Sequence, residues 1–242
     1  MVFGLFSSKE KNLQRLIGKA TNKLAQQADR WAALEKLRED GSDDALFGLC
    51  KRFAITSGNQ VEDQQEKTWV ADALIAKGAA ALPPLRRFMK GALQLSYALQ
   101  VLERIATKEE ALEVVDGLLA DEPPGYTRDP ERKLDMIRWM TGWKAGHPDV
   151  YSRILPYVTD FDQNVRVLAT DGIADADIAL TGKTLIDAFL RPEEESGRFR
   201  RRVAEVLAAK KFPLGDKASA VGPHLVGPVA GFSVENGVLV QR

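Results

Sequence analysis

Apolar residues recur at helical spacing along most of the chain, in short stripes separated by glycine, proline and polar runs. Trp31, Leu34 and Leu37 make one stripe, and Leu46, Leu49, Cys50 and Phe53 make the next, after "EDGSDD". "TSGNQVEDQQ" reads as a polar loop. Trp69, Ala73 and Leu74 resume the pattern, and "AKGAAALPP" leads into Leu82, Leu85, Phe88 and Met89. Pro83 and Pro84 suit the first turn of a helix, where the missing N–H has no intrahelical partner. Further stripes are Ala98, Val101, Leu102 and Ile105, then Leu112, Val115, Leu118 and Leu119. After the loop "DEPPGYTRDP" come Leu134, Ile137 and Met140, then Val150, Ile154, Tyr157 and Val158. The last are Val165, Leu168 and Ala169, then Ile178, Leu185, Ile186 and Phe189, then Phe199, Val203, Val206 and Leu207.

These stripes read as pairs of helices, because strand-like alternation is absent until the C-terminus. Equivalent first-helix positions are Trp31, Trp69, Tyr97, Met136, Val167 and Val203. Their spacings run from about 28 to about 39 residues, the range of helical-pair repeats. A lone helix pair cannot bury both faces, so such units stack on their neighbours. The expectation is an all-α fold with an array of five to six helix pairs over residues 28–212.

The two ends differ from the repeats. Within 1–27, Leu13, Leu16, Ile17, Ala20 and Leu24 form an apolar stripe flanked by Lys9, Lys11, Arg15, Lys19 and Lys23. That predicts a capping helix on the Trp31 helix; the alternative is a membrane-surface helix aided by Phe3, Leu5 and Phe6. Within 213–242, "GFSVENGVLVQR" predicts a hairpin, since Asn236-Gly237 suits a type I′ turn. The turn pairs Glu235 with Val238, Val234 with Leu239 and Ser233 with Val240. The Phe232 face is expected to pack near Val206 and Leu207 as a C-terminal cap. The alternative is that the hairpin edge pairs with a partner or a second copy.

"DFDQNVRVLATDGIAD", residues 160–175, resembles the first helix of a HEAT repeat: an Asp before the helix, then Val165 and Arg166, then the small Ala169. "EEESGRFRRRVAEVLAAKKF" is similar, with Arg202 and Val203. The resemblance is close over residues 160–211 and looser over 29–159. It implies an α-solenoid whose second helices line a concave face. It also implies a structural role for Arg166, bonded to a neighbouring Asp or carbonyl. Asp162 is placed to cap the helix after it.

Charge narrows the function classes. The 34 Lys and Arg balance 34 Asp and Glu, which does not favour wholesale binding to nucleic acid or anionic membrane. One cysteine, Cys50, leaves no intrachain disulfide and no Cys-rich metal site. His147 and His224 are too few for a His-based cluster. No metal and no cofactor are expected. No apolar run approaches the ~18 residues of a membrane span, and "MVFGLF" is short with no basic residue before it. A cytoplasmic protein is expected.

"ALTGKTLIDAF" ends like a phosphate-binding loop, but Asp177 stands where that loop needs its first glycine, and no strand precedes it. Gly182 falls on the stripe of Ile178, Leu185, Ile186 and Phe189, where it admits a close neighbouring helix. Cys50 shares an apolar stripe and reads as a core thiol, and His147 reads as a turn residue. The carboxylate runs Asp43–Asp44, Glu109–Glu110 and 193–195 sit near helix N-termini, where they complement the dipole. The chain does not read as an enzyme.

On the expected second helices, Lys51, Arg52, Arg86, Arg87 and Lys90 give way to Glu109, Glu110, Glu113 and Asp116. An interrupted basic track suits a protein partner of complementary charge better than nucleic acid. The candidate partner-binding residues are Lys51, Arg52, Arg86, Arg87, Lys90, Glu109 and Glu113. The expected function is a non-catalytic scaffold or adaptor. The alternative is a nucleic-acid module resembling HEAT-like DNA glycosylases, resting on "GRFRRR" (197–202) and on Asp135, Trp139 and Trp143 sharing a helix face.

Overall fold

The computed structural model describes residues 8–143 and 147–242, which are mostly helical and end in one two-stranded antiparallel sheet. The chain forms two compact units, 1–121 and 122–242. Phe3, Leu5 and Phe6 lie outside the described residues.

The first unit contains α1 (Ser8–Ala20), α2 (Gln27–Asp40), α3 (Asp43–Cys50, continued by a 3-10 turn Lys51–Ala54), α4 (Gln60–Lys77), α5 (Leu82–Gly91), α6 (Ser96–Ile105) and α7 (Lys108–Asp121). Helix α4 packs against α2 and α6, and α5 packs against α3 and α7. Helices α2, α4 and α6 thus touch in turn, and so do α3, α5 and α7. Gly41 ends α2 in the left-handed region, at φ 62°, and its N–H donates to the Leu37 carbonyl. Thr107 and Glu110 exchange side-chain and backbone hydrogen bonds at the start of α7, forming a capping box. Pro83 and Pro84 occupy the first turn of α5 as expected.

Helix α1 packs on α2 and α3. Ile17 and Ala20 are buried, Leu13 and Leu16 half-buried, and a Cβ on Gly48 would come within 2.6 Å of the Ile17 side chain. Leu24 departs from the expected stripe: the helix stops at Ala20, which leaves Leu24 86% exposed.

A second departure is α4. The run "QVEDQQ" is helical, not a loop, and only 55–59 remain irregular. The Asn59 side chain accepts from the Val61 and Glu62 amides and starts the helix. Its first inward face is ionic: Asp63, Glu66 and Lys67 are all buried. A search for apolar periodicity cannot see a buried face built of charges.

The second unit contains α8 (Glu131–Trp143), α9 (Val150–Ile154, continued by a 3-10 turn Leu155–Thr159), α10 (Gln163–Ile173), α11 (Ile178–Phe189), α12 (Gly197–Ala209), the short α13 (Ala218–Val221), β1 (Phe232–Glu235) and β2 (Val238–Gln241). Helix α10 packs against α8 and α12, and α11 against α12 and the 155–159 turn. Asp162, Asp177 and Ser196 cap α10, α11 and α12.

The hairpin has the expected register, and Asn236 and Gly237 both have positive φ, 51° and 75°. Phe232 and Leu239 are buried, and β2 packs on α12. Pro213 bridges to Val238, and the Leu214 amide donates to the Gly237 carbonyl.

Candidate functional site

Four residues on α5, Pro83, Arg86, Arg87 and Lys90, recur at helical spacing on the face opposite buried Leu85, Phe88 and Met89. On the neighbouring α7, Glu113, Val114, Gly117 and Asp121 do the same beside buried Leu112, Val115 and Leu118. Between the helices runs an open groove of about 670 Å³, lined by these residues and Leu118. Its α5 wall is basic, its α7 wall carries carboxylates, and Pro83, Val114 and Leu118 supply apolar surface.

The charges are partly matched inside the protein. Arg86 reaches across to Glu113 at 3.6 Å. Arg87 binds Asp44 at 2.8 Å and lies over the Phe47 ring, 3.8 Å from its centroid. Lys51 also sits over Phe47, at 4.8 Å. Lys90 has no ion-pair partner among the described residues. The groove brings together Arg86, Arg87, Lys90 and Glu113. Lys51 and Glu109 are not among its lining residues.

Arg52 requires a correction. It is fully buried and cannot contact a partner. Its Nε donates to Glu66 at 2.7 Å, one terminal nitrogen to Asp63 at 2.8 Å and the other to the Ile55 carbonyl at 2.7 Å. Arg30, also buried, donates to Glu66 at 3.0 Å, to Glu62 at 3.3 Å and to the Ala25 carbonyl. Lys67 pairs with Asp63 at 2.7 Å. Burial alone would raise the Asp63 carboxyl, but hydrogen bonds from Lys67, the Ser57 amide and Arg52 outweigh it and hold the group below its ordinary value. This cluster ties α2, the turn after α3, and α4 together. The sequence signal for it was the run of acids and Lys67 at i, i+3 and i+4 on α4.

The second unit repeats the device. Lys133 donates to Asp160, 27 residues on, and Arg166 donates to Glu194, 28 residues on. Arg166 also donates to the carbonyls of Asp160 and Phe161, the structural role expected of it.

The remaining candidates are placed as follows. Gly182, Lys183 and Thr184 lie inside α11, so their amides do not form an anion cradle. The neighbour that Gly182 admits is the Phe212 ring rather than a helix; a Cβ there would fall 2.2 Å from it. Burial pushes the Cys50 thiol up to about 12. Trp139 and Asp135 are buried; the Trp139 and Trp143 ring centroids lie 4.5 Å apart and those of Trp143 and His147 4.9 Å apart, each pair tilted by 33°. In "GRFRRR", Arg198 bonds Asn164, Arg200 the Phe189 and Arg191 carbonyls, Arg201 Glu205, and Arg202 Asp171 and Glu205. Among the described residues no His, Cys, Asp and Glu group is arranged to hold a metal ion, and no helix is long and apolar enough to cross a membrane.

No protein-family model matches this chain, and comparison with curated proteins and with solved structures finds no match.

Proposed function

We propose that this chain is a cytoplasmic, non-catalytic scaffold of HEAT-like helix pairs that binds another protein through the α5–α7 groove. The observation that carries this reading is the groove itself: a basic wall facing an acidic wall across an apolar floor, with Lys90 unpaired. An extended segment presenting acidic residues to Lys90 and Arg86, with apolar side chains over Val114 and Leu118, matches that lining. Several features support the HEAT-like reading: the serial contacts of α2, α4 and α6 and of α3, α5 and α7, the Val165-Arg166 pattern, and the arginine and lysine that reach the acids before α12 and α10.

Affinity purification from native cells tests the proposal, with the wild type compared against the Arg86→Glu, Arg87→Glu double variant. Arg87 is exposed and Arg86 half-buried, so thermal melting of the variant is compared with the wild type to show that it folds. A stoichiometric partner held by the wild type and lost by the variant supports the groove. No partner, or one retained equally by both proteins, removes it.

A further inference from the structure

Two aromatic rings in the second unit stand in water side by side. Tyr126 is 75% exposed and Phe161 67% exposed, yet their centroids lie 5.3 Å apart at an interplanar angle of 85°. They come from different loops, one before α8 and one before α10, and a single buried carboxylate organises both. Asp160 accepts from the Gly125 amide and from Lys133 Nζ on one oxygen, and from the Asp162 amide on the other. Lys133 also donates to the Gly125 carbonyl, and Arg166 to the Phe161 carbonyl. The Tyr157 hydroxyl fixes the start of the first loop through the Glu122 carbonyl at 2.8 Å. The backbone beside each ring is therefore held from inside the unit, while the rings face outward. Large apolar groups held rigid and exposed are suited to contact, since little freedom is lost when a partner covers them.

Phe161 also lines an open cavity of about 690 Å³, whose wall carries five carboxylates, Asp160, Asp162, Glu193, Glu194 and Glu195, against two guanidinium groups, Arg166 and Arg191. Two of these carboxylates, Asp160 and Glu194, are neutralised by Lys133, Arg166 and Arg191. Asp162, Glu193 and Glu195 have no ion-pair partner among the described residues. Asp162 is partly engaged as the cap of α10, while Glu193 and Glu195 are exposed. Aromatic faces beside carboxylates that lack an ion-pair partner attract a guanidinium or ammonium group, by cation–π contact and by charge. The same carboxylates repel a phosphate backbone.

We propose that Tyr126 and Phe161, with Asp162, Glu193 and Glu195, form a second docking surface that takes an arginine- or lysine-bearing segment of a partner protein. It is independent of the α5–α7 groove, carries the opposite charge preference and lies wholly in the second unit.

Fluorescence anisotropy on the full chain tests this with three labelled probes: a peptide of alternating arginine and glycine, its glutamate–glycine counterpart, and single-stranded oligothymidylate. Only the arginine peptide should saturate. Tyr126→Ala with Phe161→Ala should weaken it about tenfold or more. Glu193→Lys with Glu195→Lys should weaken it and flatten its salt dependence. Arg86→Glu with Arg87→Glu in the first unit should leave it unchanged, which separates this surface from the groove. All four substituted positions of the second unit are exposed, so each variant should melt like the wild type. Lack of saturable binding, wild-type affinity in both second-unit variants, or preference for the acidic peptide or the oligonucleotide overturns the assignment.

Discussion

Glu66 accepts from two buried arginines at once, Arg30 and Arg52, and replacing it leaves Arg30 with Glu62 and Arg52 with Asp63 as their remaining carboxylates, one fewer anion than the buried cations are built around. Removing one partner of a buried ion pair costs roughly 3–5 kcal/mol. Glu66→Ala should therefore lose stability of that order in urea denaturation, far more than Glu113→Ala at the exposed pair with Arg86. Asp63 adds a pH dependence. Its carboxyl titrates below the ordinary value of about 4, so the unfolded chain binds the proton more readily. Its stabilisation is present above that ordinary value and is lost as pH falls through the lowered folded value. Urea midpoints measured from pH 6 down to pH 2 should fall more steeply below about pH 4 for the wild type than for Asp63→Asn.

At the scale of elements, two ends are held by identifiable contacts. Helix α4 starts at Asn59, whose side chain satisfies two orphan amides. Asn59→Ala should cost about 1 kcal/mol, and amide exchange at Val61 and Glu62 should quicken before the rest of the helix. At the other terminus β2 lies on α12, with Leu239 buried and with Val206 and Leu207 buried on the helix. A two-stranded hairpin is marginal alone in water, so its order depends on that helix, and the helix surface depends on it for cover. Truncation before Gly231 should lower the melting temperature and promote aggregation, as measured by circular dichroism and light scattering. Unchanged melting would make the hairpin dispensable to the fold.

At the scale of the molecule, each compact unit has a core and a buried ionic cluster of its own. In the second unit Ile137, Val165, Phe199 and Leu207 are buried, and Lys133–Asp160 and Arg166–Glu194 lie among them. Residues 122–242 expressed alone should therefore give a helical spectrum and a cooperative thermal transition. A fragment that remains unfolded would show that its core depends on the first unit. The equal totals of acidic and basic residues make the two candidate surfaces local features. Their binding should weaken with salt while global stability changes little.

Local periodicity and local chemistry were sufficient for much of this protein. The helix stripes, the Pro83-Pro84 start of α5, the Asp162 cap and the Asn236-Gly237 turn each depend on residues within a few positions of one another. So does the basic face of α5, since Arg86, Arg87 and Lys90 lie within two turns. The fate of each charge depended on residues far along the chain. Arg52 and Arg87 look alike in sequence, yet Arg52 meets Glu66 and Asp63 in the interior while Arg87 stays at the surface beside Asp44. Nothing near Tyr126 announces Phe161, 35 residues away; the two rings meet because Asp160 binds both loops. Helix and turn formation is decided by short-range backbone geometry and apolar spacing. Whether a charge is buried, paired or left for a partner is decided by which distant side chain the packing brings within reach.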